Sequence, residues 1–349
     1  MHLDCCSKKR HIHRNPLASR KKQKKGIDFV DDLIALSILT QIPYLGSVKI
    51  RLLIGYFGSA LTALEAEVKV IETILGTKSK CLPYWTTWKE NDDWKRNLEL
   101  AAKEGVYLVS YTDQAYPQQL LQISDFPVLL YVKGKWPIEQ FKGVAIIGSR
   151  QASQYGRELA YSFGMDLAGL GIVVVSGLAK GVDTAAHQGA LQTGKTLAVI
   201  GSGLSHLYPY ENRDLARLIE REGAVITEYP MLTPPNRQNF PQRNRIVSGL
   251  AEAVVLIEAP VVSGAMLTMR KGILQGKKLL VIPGRANEDS FSGNHLLIEE
   301  GKAHPVKSAK DIMAQVDKGL RSKEQQLDLQ FSGVKNSHFC QSMSQNKLN

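Results

Sequence analysis

Between residues 144 and 282 the sequence alternates short apolar runs with longer amphipathic segments, and no other feature constrains the fold as strongly. The apolar runs are four or five residues long and rich in Val, Ile and Ala, which predicts buried β-strands. The longer segments carry apolar residues at helical spacing and are joined to the runs by short loops rich in Gly and Ser. Strands that are apolar on both faces belong to a parallel sheet covered by helices on both sides.

The alternation therefore predicts an α/β fold with a doubly wound, mainly parallel, Rossmann-like sheet. The predicted strands are Val144–Ile147, Ile172–Val175, Thr196–Ile200, Ala224–Thr227, Ala253–Ile257 and Lys278–Ile282. The predicted helices are Gln154–Leu170, Asp183–Gln192, Arg213–Arg221 and Ala265–Gln275. Two further apolar runs, Val106–Val109 and Val128–Val132, predict strands that precede this series.

A chain of 349 residues has room for two domains, because single cores stop growing at about 250 to 300 residues. We assign residues 99–316 to the Rossmann-like domain, and residues 26–98 to a small all-helical domain of the SAM or helix-hairpin-helix type with its linker. Its hairpin, Ile42–Lys49, has only one of the two usual glycines, so both a phosphate contact and simple helix packing fit it. Residues 317–349 are predicted to be a polar tail with too few apolar residues for a winged helix.

The net charge of +11 is concentrated at one end of the chain. Residues 1–25 carry nine basic side chains and one acidic one, which predicts a disordered tail that binds any polyanion. A nucleic-acid arm, a targeting segment and sequence upstream of the true start all fit this tail. No apolar run matches a secretory signal or a spanning helix, and the four cysteines lie in no zinc spacing. These observations predict a cytoplasmic protein without membrane contact.

Four loops follow predicted strands and carry small residues and cations. Ligands of open α/β sheets bind where such loops meet helix N-termini, and exposed N–H groups there suit phosphate. We therefore predict a phosphate-bearing ligand at this edge, with Asp183 as the N-cap of the helix after the second loop. The candidate residues in these loops are Gly148, Ser149 and Arg150; Gly177 and Lys180; Gly201, Ser202 and Gly203; and Ser263 and Gly264.

Neither nucleotide motif is present in its required context. The dinucleotide fingerprint fails, because Gly148 has no second glycine two residues on and His206 replaces the third glycine after Gly203. The formal phosphate-loop match Gly189–Thr196 ends a predicted helix and opens a strand, the reverse of the required order. We therefore predict no cofactor, and the spacing of His, Cys and acidic residues predicts no metal site.

One further segment, Phe240–Arg245, places an aromatic ring beside two guanidinium groups in a predicted loop. Stacking rings and arginines hold single-stranded nucleic acid, but Phe240 in the core with Arg243 and Arg245 in structural ion pairs fits equally well. Catalytic candidates are isolated, because His187, Asp183, Glu228 and Glu258 show no partner in the sequence. The pattern favours a binding protein over an enzyme.

Taken in order, these motifs resemble the DNA-processing protein A family, also called Smf, from about Tyr116 to Asp311. The matching motifs are Tyr116-Pro117, Gly148-Ser149-Arg150, Ser176–His187, Gly201-Ser202-Gly203-Leu204 with Tyr208-Pro209 and Asn212, Glu228-Tyr229-Pro230, Phe240-Pro241 with Arg243-Asn244-Arg245, Glu258-Ala259 with Ser263-Gly264, Pro283-Gly284 and Gly293-Asn294. The N-terminal helical segment resembles the family's helical domain less closely.

The resemblance implies an extended Rossmann fold and a homodimer that binds and protects incoming single-stranded DNA and loads the RecA recombinase in natural transformation. By position it implies that Arg150 grips a phosphate, that Lys180 and Asn212 belong to the pocket, and that the glycine loops donate backbone N–H groups. It also implies that Phe240, Arg243, Asn244 and Arg245 flank the DNA. Two departures are Tyr210, where many relatives have a basic residue, and Ala265 with Met269, where relatives usually carry Ser and Ala.

The alternative function is a nucleotide-processing enzyme of the lysine-decarboxylase-like phosphoribohydrolase type, which uses a similar fold. Enzymes of that type need a Pro-Gly-Gly-x-Gly-Thr loop ahead of a catalytic Glu. Here Pro283-Gly284 is followed by Arg285–Glu288, so that loop is not assembled.

Overall fold

The structure, a computed structural model, describes residues 30–90, 92–135 and 141–317. The predictions for the basic tail 1–25 and for the polar tail beyond residue 317 lie outside these residues. Among the residues described, no helix is both long and apolar enough to cross a lipid bilayer.

In the described part of the chain, five α-helices precede the sheet: α1 (Asp32–Gln41), α2 (Ser47–Phe57), α3 (Ala60–Glu65), α4 (Val68–Leu75) and α5 (Asp93–Lys103). Helix α1 begins where the Asp31 carboxylate accepts the N–H of Ile34, the usual chemistry of an N-cap. Helix α2 ends at Gly58, whose φ of 86° closes the helix in the left-handed region. We call α1–α5 the helical module.

A single nine-stranded sheet forms the centre of the molecule, in the order β1-β2-β6-β5-β4-β3-β7-β8-β9. Its strands are β1 (Tyr107–Ser110), β2 (Leu129–Gly134), β3 (Gly143–Ile147), β4 (Val173–Ser176), β5 (Thr196–Val199), β6 (Ala224–Thr227), β7 (Ala253–Leu256), β8 (Lys278–Val281) and β9 (His304–Pro305). Strand β2 pairs antiparallel with β1 and with β6, and the pairings from β6 to β9 are parallel. The chain winds outward from β3 to β6, then crosses back to place β7 on the other side of β3, so the winding direction reverses at β3.

The helices that connect the strands are α6 (Gln154–Gly169), α7 (Val182–Thr193), α8 (Arg213–Glu222), α9 (Asn239–Gly249), α10 (Gly264–Leu274) and α11 (Ser292–Glu299). The predicted doubly wound, mainly parallel α/β fold is confirmed, and the four predicted helices of this region are present to within one residue. Helices α9 and α11 were not predicted. The prediction that Phe240–Arg245 is a loop is wrong, because these residues form the first turns of α9.

Alternating side chains of the strands separate the core into opposite faces of the sheet. Along β3, Val144 and Ile146 pack in one cluster with α6 and α7, and Ala145 and Ile147 pack in another on the opposite face. This period of two follows from the pleat of a strand, and burial of both faces explains why the strands read as continuous apolar runs.

A third cluster joins the helical module to the sheet. It combines apolar side chains of α1–α5 with those of β2, β5 and β6, and the buried hydroxyls of Ser37 and Tyr131 lie 3.1 Å apart across the junction. The predicted boundary between residues 98 and 99 falls inside α5, where Trp94 and Leu98 belong to this shared cluster. The module and the sheet therefore share one core.

Candidate nucleic-acid interface

A cavity of about 800 Å³ opens at the carboxyl ends of β3, β4 and β7. This is the position where the winding direction of the sheet reverses, and ligands of open α/β folds bind at such points. Its walls come from the loops after these strands and from the first turns of α9 and α10. Of the predicted residues, the cavity is lined by Gly148, Ser149, Arg150, Gly177, Phe240, Arg243, Asn244, Ser263 and Gly264.

Arg150 is the exposed cation of the first loop. Its guanidinium lies 5.1 Å from the centre of the half-buried Phe240 ring, and no carboxylate pairs with it among the residues described. The loop beneath it is fixed, because the N–H of Ser149 donates to the Glu258 carbonyl at 2.7 Å. The arginine is therefore positioned by a ring and remains available to an anion.

The second loop uses its backbone donors internally. The buried carboxylate of Asp183 accepts the N–H groups of Gly177 at 3.1 Å and of Ala179 at 3.3 Å. The prediction that Asp183 is the N-cap of α7 is wrong. The N-cap is Gly181, with a φ of 78°. Burial raises the pKa of Asp183, while the nearby Arg243 guanidinium opposes the rise. These N–H groups are therefore unavailable to a phosphate.

Asn212 stabilises the same loop through hydrogen bonds. Its buried amide donates to the Leu178 carbonyl and to the Thr184 hydroxyl, both at 2.8 Å. Leu178 is buried with a φ of 57°, a strained conformation for a branched residue, and this hydrogen bond holds it there. Lys180 instead extends into solvent and pairs with Glu211 at 2.5 Å, outside the cavity wall.

The third loop is closed. Gly201, Ser202 and Gly203 are all buried, and none of them lines the cavity. The Ser202 hydroxyl donates to the His206 carbonyl at 2.8 Å, and the N–H of Gly203 donates to the Thr233 carbonyl at 2.9 Å. The N–H groups of Gly177 and Gly203 are therefore engaged within the protein, whereas the prediction assigned the donors of the glycine loops to a ligand.

The two arginines of α9 are structural. Arg243 is buried, and its Nη1 donates to the carbonyls of Gly177, at 2.6 Å, and of Val199. Burial lowers the pKa of Arg243 to about 10, so it keeps its charge at neutral pH. Arg245 forms a two-pronged pair with Glu228, at 2.8 and 2.7 Å. Of the two alternatives left open by the sequence, the structural ion pair is the one that Arg245 adopts.

The fourth loop offers open N–H groups. The Ser263 side chain caps α10 by accepting the N–H of Met266, while Gly264 and Ala265 occupy the first turn, where N–H groups have no intrahelical acceptor. The Asn244 amide lies 3.4 Å from the Gly264 carbonyl, which connects α9 to this corner. Arg150 and the N-terminus of α10 are thus the two groups of the predicted loops whose donors remain open toward this cavity.

The cavity wall includes residues that were not among the predicted site residues, and two of them are Tyr208, which belongs to a matching motif, and Arg237. Tyr208 is partly exposed, with its ring centre 5.8 Å from that of Phe240. Arg237 is exposed in the loop before α9 and makes no hydrogen bond or ion pair among the described residues. The run Pro234-Pro235-Asn236-Arg237 was the available signal, because Pro and Asn favour turns, and turns place their polar side chains at the surface.

The isolated catalytic candidates all have structural partners. Glu258 is buried and accepts the N–H and hydroxyl of Ser153, and the Nδ1 of His187 lies 2.6 Å from the Thr196 hydroxyl. The Nε2 of His187 is buried without a hydrogen-bond partner among the described residues, and burial together with Arg243 lowers the pKa of this ring to about 3. In the loop of the alternative enzyme, Glu288 pairs with Arg285 at 2.9 Å, outside the cavity wall. Within the described ranges, no three His, Cys, Asp or Glu side chains are placed to hold a metal ion.

Comparison with known proteins agrees with the motif order. A family model described as DNA recombination-mediator protein A matches residues 107–317. The chain belongs to this family. It is 42% identical over 211 residues to DNA processing protein DprA of Streptococcus pneumoniae, covering 60% of this chain and 73% of that protein. It is 38% identical over 216 residues to protein Smf of Escherichia coli, covering 61% of this chain but only 58% of that protein.

Two solved structures of the DNA recombination-mediator protein A family are similar to this one. That of S. pneumoniae DprA has a TM-score of 0.69 and 33% identity, and the match covers 82% of this chain and 98% of that one. That of DNA processing protein A from Helicobacter pylori, described for its single-stranded DNA binding mode, has a TM-score of 0.55 and 29% identity. It covers 60% of this chain and 96% of its own.

Proposed function

We propose that this protein binds single-stranded DNA in the cavity at the reversal point of the sheet, and that it acts by binding and not by catalysis. The observation that carries the proposal is the exposed Arg150 stacked on Phe240, opposite the open first turn of α10. A cation, free N–H groups and aromatic rings within one cavity match the phosphates and bases of a single strand.

Shape favours a single strand over a duplex. The aromatic rings that line the cavity, Tyr208 and Phe240, can stack only on bases whose faces are free, and those faces are covered inside a duplex. The H. pylori relative is described as a single-stranded DNA binder, which supports the same ligand class.

The cellular role that we propose follows the family. It is the protection of incoming single-stranded DNA, and its transfer to RecA, by a cytoplasmic homodimer during natural transformation and recombination. A role in binding without catalysis is supported by the carboxylates of Asp183, Glu228 and Glu258. Each of these carboxylates forms hydrogen bonds to groups of the protein itself.

The test is a titration of labelled oligo-dT and of duplex DNA against the full chain at several salt concentrations. We expect tighter binding of oligo-dT, with an affinity that falls steeply as salt rises. Arg150→Ala should weaken oligo-dT binding about tenfold and reduce the salt slope by about 0.7, the value for one phosphate contact in a single strand.

The matched control is Arg217→Ala, an exposed arginine on α8 that pairs with Asp214 away from the cavity. Because the basic residues 1–25 are expected to bind any polyanion, the difference between these two variants is the quantity that reports on the cavity. Equal oligo-dT affinity for both variants, or equal binding of duplex and oligo-dT, would refute the proposal.

A further inference from the structure

Four arginine–aromatic pairs lie near the carboxyl edge of the sheet in the part of the chain that the structure describes, and in one of them, Arg51 with Phe126, the ring is buried. Of the other three, only the central one, Arg150 with Phe240, belongs to the cavity. On one side, Arg213 lies 4.7 Å from the centre of the Tyr210 ring. On the other side, Arg285 lies 5.3 Å from the centre of the Tyr155 ring.

The positions of the outer pairs follow from the topology. Tyr210 and Arg213 lie between β5 and α8, whereas Arg285 follows β8 and Tyr155 is in the first turn of α6. Strands β5 and β8 lie on opposite sides of β3 and are four places apart in the sheet order, so the loops that follow them begin about 20 Å apart at a strand spacing of about 4.8 Å. The three pairs therefore form a row across the strand ends.

Both outer pairs are open to solvent. Tyr210 is 56% exposed and Tyr155 is 38% exposed, so a face of each ring is accessible to a ligand. Arg213 pairs with no carboxylate among the described residues, whereas Arg285 is 69% exposed but forms an ion pair with Glu288 at 2.9 Å, which a phosphate would have to compete with. Each pair presents a flat apolar ring beside a cation.

We propose that the outer pairs are flanking base-binding sites, and that a single strand runs across the sheet edge from Tyr210–Arg213, past the cavity, to Tyr155–Arg285. In each site the ring stacks on a base and the guanidinium contacts a neighbouring phosphate. The row spans about 20 Å, so it is occupied in full only by an oligonucleotide that extends beyond the cavity on both sides. The inference rests on the proposed function, because the cavity supplies the central contact.

The row also gives a role to a departure from the family pattern. Tyr210 stands where many relatives have a basic residue, and its ring holds Arg213 in place. A stacked base contributes affinity that depends little on salt, because only the phosphate contacts release counterions. Replacing a phosphate contact by stacking should therefore make binding at this end of the row less sensitive to salt.

The experiment measures the affinity of the full chain for oligo-dT of 4 and 15 nucleotides, using Tyr155→Ala, Tyr210→Ala and the corresponding Phe variants. We expect each Ala variant to lose about tenfold in affinity for the 15-mer and less than twofold for the 4-mer, with the Phe variants near wild type. The matched control is Tyr161→Ala on α6, because this ring is also 38% exposed but stacks on no arginine.

Position within the oligonucleotide gives a second readout. A 15-mer with 2-aminopurine near one end should lose its fluorescence quenching in Tyr155→Ala, and one labelled near the opposite end should lose it in Tyr210→Ala. If both Ala variants bind the 15-mer within twofold of the Tyr161→Ala control, the flanking sites do not exist even though the cavity binds DNA. If the wild-type chain binds neither oligonucleotide, the proposed function itself fails.

Discussion

The structure separates two arginines that the sequence treats alike, and replacing each by Met tests this separation. Arg245 is 6% exposed in its side chain and forms its two-pronged pair with Glu228, with Asp125 3.3 Å from its Nε. Removing one partner of a buried pair leaves an uncompensated charge and costs about 3–5 kcal/mol. Because domains are stable by only about 5–15 kcal/mol, Arg245→Met should shift the urea unfolding midpoint strongly downward.

The same change at the exposed Arg150 should alter the free energy of unfolding by less than about 0.5 kcal/mol while weakening oligo-dT binding. Unfolding is followed by tryptophan fluorescence, since Trp85 and Trp94 are buried in the shared core. Replacing Glu228 together with Arg245 by apolar residues should recover part of the loss, because no charge is then left buried. An Arg245→Met variant that keeps wild-type stability but loses DNA affinity would refute this reasoning.

Three further predictions concern stability, each checked by chemical denaturation. His187 is neutral when folded, with a pKa near 3, and titrates near 6.5 when unfolded, so stability is lost as pH falls through this window. The advantage of wild type over His187→Gln should thus shrink by about 2 kcal/mol from pH 7 to pH 5, and parallel pH profiles would contradict this. Gly156→Ala should lower the free energy of unfolding by about 2 kcal/mol or more, because its Cβ would lie 1.9 Å from a carboxylate oxygen of Glu258. Gly264→Ala is the control, because its Cβ would have no atom within 4 Å, and this variant should be neutral or stabilising by up to about 1 kcal/mol. Asn294→Ala should lower the free energy of unfolding by about 3 kcal/mol, because this buried amide accepts the N–H of Ala259 and donates to the carbonyls of Leu256 and Ile282 at the ends of β7 and β8. A loss below about 1 kcal/mol would contradict a role for Asn294 in joining these strand ends.

The strands were predictable because a buried parallel strand needs only a short run of consecutive apolar residues. A four-residue run of Val, Ile and Ala is buried on both faces in any parallel sheet, so the ends of β6, Ala224–Thr227, match the prediction. Helix α9 follows no such rule, because two of its buried positions are arginines and Pro241 occupies its first turn. Its apolar periodicity is therefore hidden.

The roles of the loop residues depended on partners distant in sequence. Nothing near Arg245 indicates that Glu228 and Asp125 converge on it, and both lie on separate loops of the sheet edge. Asp183 has the sequence position of an N-cap, but the turn at Gly181 carries its carboxylate back to the loop. Arg150 was identifiable because an exposed residue after a strand at the reversal point needs no distant partner.

The shared core between the helical module and the sheet affects how the chain can be dissected. Helices α1–α5 cover apolar side chains of β2, β5 and β6, including Ala198 and Val225, which would meet water if the module were removed. We expect the two parts to unfold in one cooperative transition, as a single folding unit does. A fragment without the module would therefore confound loss of folding with loss of function, and point substitutions on the full chain are the sounder means of assigning roles to either part.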